Sequence, residues 1–380
     1  MPKKVKSNIE KFRELTRKSL DSQPFSSSQY GEVLDWIDTG DYGLNRIISG
    51  DIYKGIPSGR VVVFGGESQS GKSFISAQVA ANALNKNKFE VVYYFDGEGG
   101  AMKSFFESRG CNLDNIEHVL VDSVEDALLK IVGTYNKIRE FQKEEPNFKA
   151  LFILDSIGAL ITNKVMNDVE KDKVANDMGL RAKMCNLLVR ATTIPALRTN
   201  VGLIIVNHIY DDPQAMYASK IKQQGGGKGI QYMARLVIQC SKKLEKDDQK
   251  DKNDERAFQF NRLRFLTVKN SFAQPTYESN MILDFKKGPL RYYSIFDVAV
   301  KYGLIVQKGA WYTIPSSETP DKNFRAKEIL KNPKLWDTFI DELNEKSIEE
   351  LSYGGKEVID TDTIDFEDDF QNLNESDIEV

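Results

Sequence analysis

Short apolar runs, each closed by a polar residue and followed by helical spacing, recur along most of the chain. Val61-Val62-Val63-Phe64 leads into glycines, Val91-Val92-Tyr93-Tyr94-Phe95 ends in Asp96, and Leu151-Phe152-Ile153-Leu154 ends in Asp155. Leu203-Ile204-Ile205-Val206 ends in Asn207-His208. Unbroken apolar runs of this length suit strands buried on both faces of a parallel sheet. Helical patterns fall between them, over Lys72–Asn85, around Ala101–Arg109 and over Ser123–Lys143, where Ser123 is a good N-cap with Asp126 three positions on. A strand is predicted near His118–Val121. This alternation predicts an α/β fold with a mostly parallel wound sheet, whose polar strand ends collect where such sheets bind ligands. Arg235–Lys242 and Phe258–Asn270 read as further strands around a charged turn at Lys243–Glu255, and residues 280–285 as another. Beyond Pro289 the pattern predicts a helix over Ile295–Tyr302, a short hairpin from Gly303–Val306 and Gly309–Ile314, and one more helix over Phe324–Asn344. At the other end, Ile9, Phe12, Leu15 and Leu20 lie on one side of a short amphipathic helix, Asn8–Leu20, and a Ser-rich linker follows over Ser22–Gln29. Such a helix either packs on its own domain or a neighbouring subunit, or frays. The expected organisation is an N-terminal segment and linker (1–38), an α/β core (39–290), a small C-terminal α/β region (291–346) and a tail (347–380).

The strongest chemical signal follows the first apolar run. Gly66-Glu67-Ser68-Gln69-Ser70-Gly71-Lys72-Ser73 fits the spacing G-x-x-x-x-G-K-S between a strand and a helix. Glycines there let consecutive N–H groups turn toward phosphate oxygens at the positive end of the following helix. Lys72 is then the cation for the β- and γ-phosphates of ATP, and the Ser73 hydroxyl a ligand for Mg²⁺. Asp155, at the end of an apolar strand, matches the carboxylate that faces such a cation through its water shell. Glu98, in Phe95-Asp96-Gly97-Glu98-Gly99, lies two residues past its strand among glycines. It is either the group that orients and deprotonates attacking water or a solvated loop acid, and the residues alone leave both readings open.

Composition narrows the class. The chain has 380 residues, 41% hydrophobic and 28% charged, which is ample for a large core plus an attachment. No apolar run approaches a membrane span, and the basic start Met1-Pro2-Lys3-Lys4 lacks the apolar stretch of a secretory signal. The three cysteines have no metal-ligand spacing and read as reduced, buried thiols, which fits a cytoplasmic protein. Ten acids and no basic residue follow Lys356, so the net charge of −4 conceals a body of +6. A mildly basic body with an acidic tail suits a protein that meets a polyanion.

The order of these motifs resembles the RecA/Rad51 superfamily of DNA recombinases, and within it the phage UvsX branch. The resemblance spans roughly residues 30–315. It is carried by Thr39-Gly40 with Leu44, GESQSGKS, FDGEG, LFILDSIGAL, Asp177-Met178-Gly179-Leu180-Arg181-Ala182, IIVNH and a triple-glycine segment. It implies an ATP-dependent recombinase that forms helical filaments with itself on single-stranded DNA and pairs that strand with homologous duplex. Single-strand-binding protein and a recombination mediator or loader would be partners, and a phage-encoded chain would work in the host cytoplasm. Residues 1–38 would serve oligomerisation. Carried over by position, Gly66 to Ser73 hold phosphates and Mg²⁺, Glu98 is the general base and Asp155 the Walker B acid. His208 stands where bacterial RecA has a Gln that senses the γ-phosphate; a His packed at a strand end is the plainer reading. Of two lysines that cross the subunit interface in RecA proteins, Lys269 fits and Ser271 does not.

The resemblance also implies two loops facing DNA. Loop one, roughly Ile161–Asn176, mixes Lys164, Lys171 and Lys173 with Asp168, Glu170 and Asp172. Loop two, Ile209–Ile230, carries Tyr210, Met216, Tyr217, Lys220, Lys222, Gly225, Gly226, Gly227 and Lys228. Lysines neutralise phosphates, apolar and aromatic side chains stack at bases, and glycines permit close approach. Lys322, Arg325, Lys327, Lys331 and Lys334 are either a duplex-DNA surface or a solvated face. The acidic tail, with Phe366 and Phe370, is expected to stay unfolded alone and to dock on a basic groove or mimic DNA. Two other functions use similar parts: a RecA-fold DNA helicase, disfavoured by the short N-terminal region, and a DNA-binding mediator that holds ATP without hydrolysing it.

Overall fold

The structure is a computed structural model that describes residues 7–20, 22, 24–101, 103–173, 179–210, 221–242, 260–284 and 287–353. The helix α1 (Asn8–Leu20) leads through two 3-10 turns to β1 (Trp36–Ile37), α2 (Tyr42–Ser49) and β2 (Ile56–Pro57). The core follows as β3 (Val61–Gly66), α3 (Lys72–Asn85), β4 (Val91–Asp96), α4 (Lys103–Glu107), β5 (Ile116–Leu120), α5 (Val124–Phe141) and β6 (Ala150–Asp155). Next come α6 (Asn163–Glu170), α7 (Leu180–Thr199), β7 (Gly202–Tyr210), β8 (Gln223–Gln224), α8 (Lys228–Met233), β9 (Leu236–Lys242), β10 (Phe260–Asn270), β11 (Glu278–Asp284) and β12 (Gly288–Pro289). The C-terminal region holds α9 (Tyr293–Lys301), β13 (Val306–Lys308), β14 (Trp311–Thr313), α10 (Ala326–Leu330), α11 (Pro333–Trp336) and α12 (Ile340–Leu351).

The large sheet runs β12-β11-β10-β9-β3-β7-β6-β4-β5, with β8 beside the end of β7. From β9 to β5 every pairing is parallel, whereas β10 to β12 are antiparallel. Strand alternation divides the apolar residues between two faces. Val62 and Phe64 pack with Ile204, Ile153 and the α3 residues Ile75 and Val79. Val61 and Val63 pack on the other face with Phe152, Leu203, Ile205 and the α5 and α7 residues Ile131, Leu188 and Val189. The register places Gly66 beside His208 on one side and Cys240 on the other, and Asp96 beside Asp155. The polar strand ends thus form a single edge, as the apolar runs predict.

Several elements differ from the sequence pattern, which assigns nothing to α2 and reads β8 and the start of α8 as part of loop two. Phe324–Asn344 is no single helix: Pro333 lacks the N–H that would continue α10, so it opens α11 instead, and α12 begins at Ile340. Loop one contains α6, capped by Thr162, whose hydroxyl accepts from the Val165 N–H at 3.4 Å. The pattern assigns no element to α7. Its interior Pro195 reads as a breaker, yet the helix continues past it because Leu188, Val189 and Ala196 are buried against the sheet. Met216, Tyr217, Lys220, Asp177, Met178 and residues 354–380 lie outside the described residues, while residues 347–351, expected in the tail, complete α12.

The C-terminal region is built around Trp336, which is fully buried. Its ring stacks on Tyr292 at 4.9 Å and its indole N–H donates to the Ile329 carbonyl at 3.0 Å. Ile295, Leu304, Ile314 and Leu343 surround it, together with Tyr42 and Ile52 from around α2. Arg46 on α2 pairs with Glu350 at 2.8 Å, tying this region to the core. Trp336→Ala is expected to cost about 3–5 kcal/mol, read as a lower urea midpoint; an unchanged midpoint would show that the ring is not a packing centre.

Candidate functional site

The loop between β3 and α3 is shaped by what its glycines leave out. A Cβ on Gly66 would lie 2.6 Å from the Cys240 carbonyl oxygen, a backbone atom of β9. Gly71 takes a left-handed φ of 84° and so does Gln69, at 60°. A non-glycine residue held there stores local strain, which is common where a loop is pre-shaped for a ligand. Glu67, Ser68 and Gln69 are exposed and Ser70 is buried. The Lys72 ammonium turns back into the loop and donates to the carbonyls of Gly66 at 2.9 Å and Glu67 at 2.6 Å. Burial lowers the pKa of Lys72, against the opposing pull of Cys240, Asp155, Glu98 and Glu67.

Asp155 at the end of β6 accepts from the Tyr94 hydroxyl at 2.6 Å and is hydrogen-bonded to the Ser73 side chain. Burial pushes its pKa up, the Glu98 charge adds to this, and Tyr94, Ser73 and Lys72 oppose it. Ser73 and Asp155 therefore meet, as two hard oxygen donors suited to Mg²⁺. Among the described residues no three His, Cys, Asp or Glu side chains gather into a metal cluster. A small donor set fits a cation that keeps waters and takes its remaining ligands from phosphates.

Glu98 is held from three sides. Its Oε1 accepts from the Ser156 hydroxyl and lies 3.3 Å from His208 Nε2. Its backbone is held by Asp96, whose carboxylate accepts the N–H groups of Glu98 at 3.0 Å, Gly99 at 2.7 Å and Ala101 at 3.2 Å, and meets His118 Nε2 at 3.1 Å. Burial alone would raise the Asp96 pKa, but these hydrogen bonds, His118 first, hold it below the ordinary value. Gly158 gives the His208 ring its room, since a Cβ there would lie 2.5 Å from it. Arg181 secures that turn, donating to the carbonyls of Ile157, Gly158 and Leu160 at 2.7–2.9 Å. A cavity of about 260 Å³ opens between Ser73, Glu98 and Asp155 on one side and Phe105 and Phe106 on the other.

The base of loop two is fastened to the same edge. Asn207 donates to the Gln224 side chain at 3.2 Å and the Gly225 carbonyl at 2.8 Å, while its own Oδ1 accepts the His208 N–H at 2.9 Å. The Gln224 side chain occupies the space that any side chain on Gly65 would need. Lys222 pairs with Glu67 of the P-loop at 2.5 Å. Gly226 and Gly227 have left-handed φ, and Tyr210 is exposed. Lys228 begins α8.

Lys269 stands apart. Through β9 it is level with Val63, and its ammonium donates to the Tyr232 carbonyl at 2.5 Å. It therefore lies toward the start of β3, about 10 Å in strand length from the turn at Gly66, and not at its own chain's P-loop.

Residues 24–289 match the RecA N-terminal domain family. The chain belongs to this family. It is 28% identical over 314 residues to the recombination and repair protein of Enterobacteria phage T4, covering 82% of this chain and 74% of the relative. It is also 27% identical over 288 residues to protein RecA of Leptospira meyeri, covering 74% and 67%, and 26% identical over 326 residues to protein RecA of Streptomyces venezuelae (strain ATCC 10712 / CBS 650.69 / DSM 40230 / JCM 4526 / NBRC 13096 / PD 04745), covering 85% and 78%. The RecA-family core thus contains every strand end described above.

Asp96, Asn207 and Gln224 carry parts of this arrangement that motif reading does not assign. The strand-end position of Asp96 is a signal, but its partners become visible only in three dimensions. Gly66→Ala is expected to destabilise the fold by about 1–3 kcal/mol, read as a lower thermal midpoint, because β9 must move to admit the methyl group; an unshifted midpoint would contradict the close approach.

Proposed function

We propose that this RecA-family protein is a DNA-dependent ATPase that polymerises on single-stranded DNA and catalyses homologous pairing and strand exchange in recombination and repair. The observation that carries the reading is the His208–Glu98 contact. It joins the group suited to activate water to the strand that runs into loop two. ATP is the substrate, held with its triphosphate along the loop from Gly66 to Ser73, where Lys72 exchanges its carbonyl partners for phosphate oxygens. Ser73 would hold Mg²⁺ with Asp155 facing it, and a cation there would supply charge neutralisation for the transferring phosphoryl group. Glu98 orients the attacking water and takes its proton, while Ser156 and the Asp96-bound backbone keep the carboxylate aimed. His208 senses the γ-phosphate side of the site and passes its state to loop two.

On the DNA side, Tyr210, Met216, Tyr217, Lys220, Gly225, Gly226, Gly227 and Lys228 supply charge, stacking and close approach without base-specific readout. Lys269, displaced from its own chain's P-loop, acts at the nucleotide of a neighbouring copy. The rivals, a helicase or a non-hydrolysing mediator, share the P-loop but would not form homology-dependent joints. Among the described residues no helix is long and apolar enough to cross a membrane.

Joint-molecule formation between single-stranded DNA and supercoiled duplex, at saturating protein with ATP-Mg²⁺, tests the function. Homologous pairs should yield joints and heterologous pairs none; equal yields would remove strand exchange. Lys72→Ala should abolish turnover. Glu98→Gln should lower kcat by at least about 100-fold while DNA stays bound with ATP, and an unchanged kcat would remove Glu98 as the base. Asp96→Asn should lower kcat about tenfold or more, with a smaller change in KM for ATP, because it loosens the Glu98 loop without touching the phosphate donors. A change confined to KM would place Asp96 in binding.

A further inference from the structure

Glu67 is an unusual side chain for its position. It belongs to the loop read above as the phosphate site, and its carboxylate opposes any triphosphate that arrives there. Lys222, 155 positions along the chain, supplies the compensating charge, with Nζ 2.5 Å from Glu67 Oε1. Lys222 is also fixed through its backbone: its N–H donates to Gln239 Oε1 on β9 at 2.8 Å. Two residues on, Gln224 lies over Gly65 and is held by Asn207, the neighbour of His208. The C-terminal stem of loop two therefore leans on the P-loop through a charged contact at Lys222 and an uncharged one at Gln224.

We propose that Glu67 and Lys222 form an electrostatic latch through which nucleotide charge in the P-loop positions the stem of loop two. The proposal rests on the reading of the P-loop as an ATP site and loop two as a DNA loop. Alone, the pair is modest, because Glu67 is 62% and Lys222 26% exposed at the side chain. With a triphosphate in the loop, Lys222 faces two sources of negative charge instead of one, and its place on the P-loop becomes more favourable. The stem is then held where Tyr210 and the glycines of loop two leave the sheet edge. Lys222 is thus a positioning residue, and its ammonium is spent on the P-loop rather than on DNA phosphate. Coupling of this kind is reciprocal: the factor by which ATP tightens DNA binding equals the factor by which DNA tightens ATP binding.

The test measures that factor at fixed salt. Full-length protein is titrated with a fluorescent single-stranded oligonucleotide, with and without a non-hydrolysable ATP analogue and Mg²⁺, for the wild type, Glu67→Gln, Lys222→Met and the double variant. Each single change should reduce the ATP-dependent tightening about fivefold, and the double variant should show the same fivefold loss, because either change opens the latch. Analogue affinity measured with and without DNA should lose the same factor. Independent losses that multiply in the double variant, or a tightening factor unmoved by either single change, would overturn the latch. A wild type whose DNA affinity ignores the analogue would overturn both the latch and the underlying reading, and is told apart by occurring before any substitution.

Discussion

The end of β3 has to do without side chains. At Gly65 the space is taken by Gln224, and at Gly66 by the Cys240 carbonyl of the adjoining strand. This close approach lets the base of loop two rest against the short loop of the G-x-x-x-x-G-K-S motif. A larger residue at Gly65 would displace the Gln224 side chain, and one at Gly66 would push β3 away from β9. The geometry of the site is therefore a consequence of sheet register: parallel pairing brings the ends of β3, β4, β6 and β7 to one edge, and short turns present their polar residues there.

Around that edge the polar groups form a connected set. Tyr94 and Ser73 hold Asp155, Asp96 and Ser156 hold Glu98, and Arg181 holds the turn that makes room for His208. Buried polar groups are costly unless satisfied, so a network with most partners in place favours one arrangement of the site. Both histidines of the chain touch the segment that carries Glu98: His208 meets its carboxylate, and His118 meets the aspartate that anchors its backbone. The strand bearing His208 then runs without interruption to Tyr210. On the proposed function, a change at the nucleotide would reach loop two over a few residues and need no long pathway.

Much of this is legible in the sequence because it is written locally. Apolar runs identify the parallel strands, the glycine spacing identifies the P-loop, and the acid at the end of β6 does meet Ser73. What the sequence hides depends on contacts between distant segments. Asp96 looks like any strand-end acid, since its three N–H donors come from a turn and its histidine from β5. Lys222 reads as a phosphate contact for DNA, and only the antiparallel return of β8 along β7 brings it to Glu67. The helix α7 is hard to read because Pro195 and a scattered apolar pattern obscure its period, while α6 is too short and polar to stand out from a loop. Pro333 is visible, but the apolar spacing around it suggests continuity that its missing N–H does not permit.

The central claim is that nucleotide in the P-loop orders loop two. Hydrogen exchange of the full chain, with and without a non-hydrolysable ATP analogue and Mg²⁺ and in the absence of DNA, tests it most directly. Protection should rise in peptides covering residues 97–101 and 209–230 as well as in the P-loop itself. Protection confined to the P-loop, with 209–230 unchanged, would contradict the account.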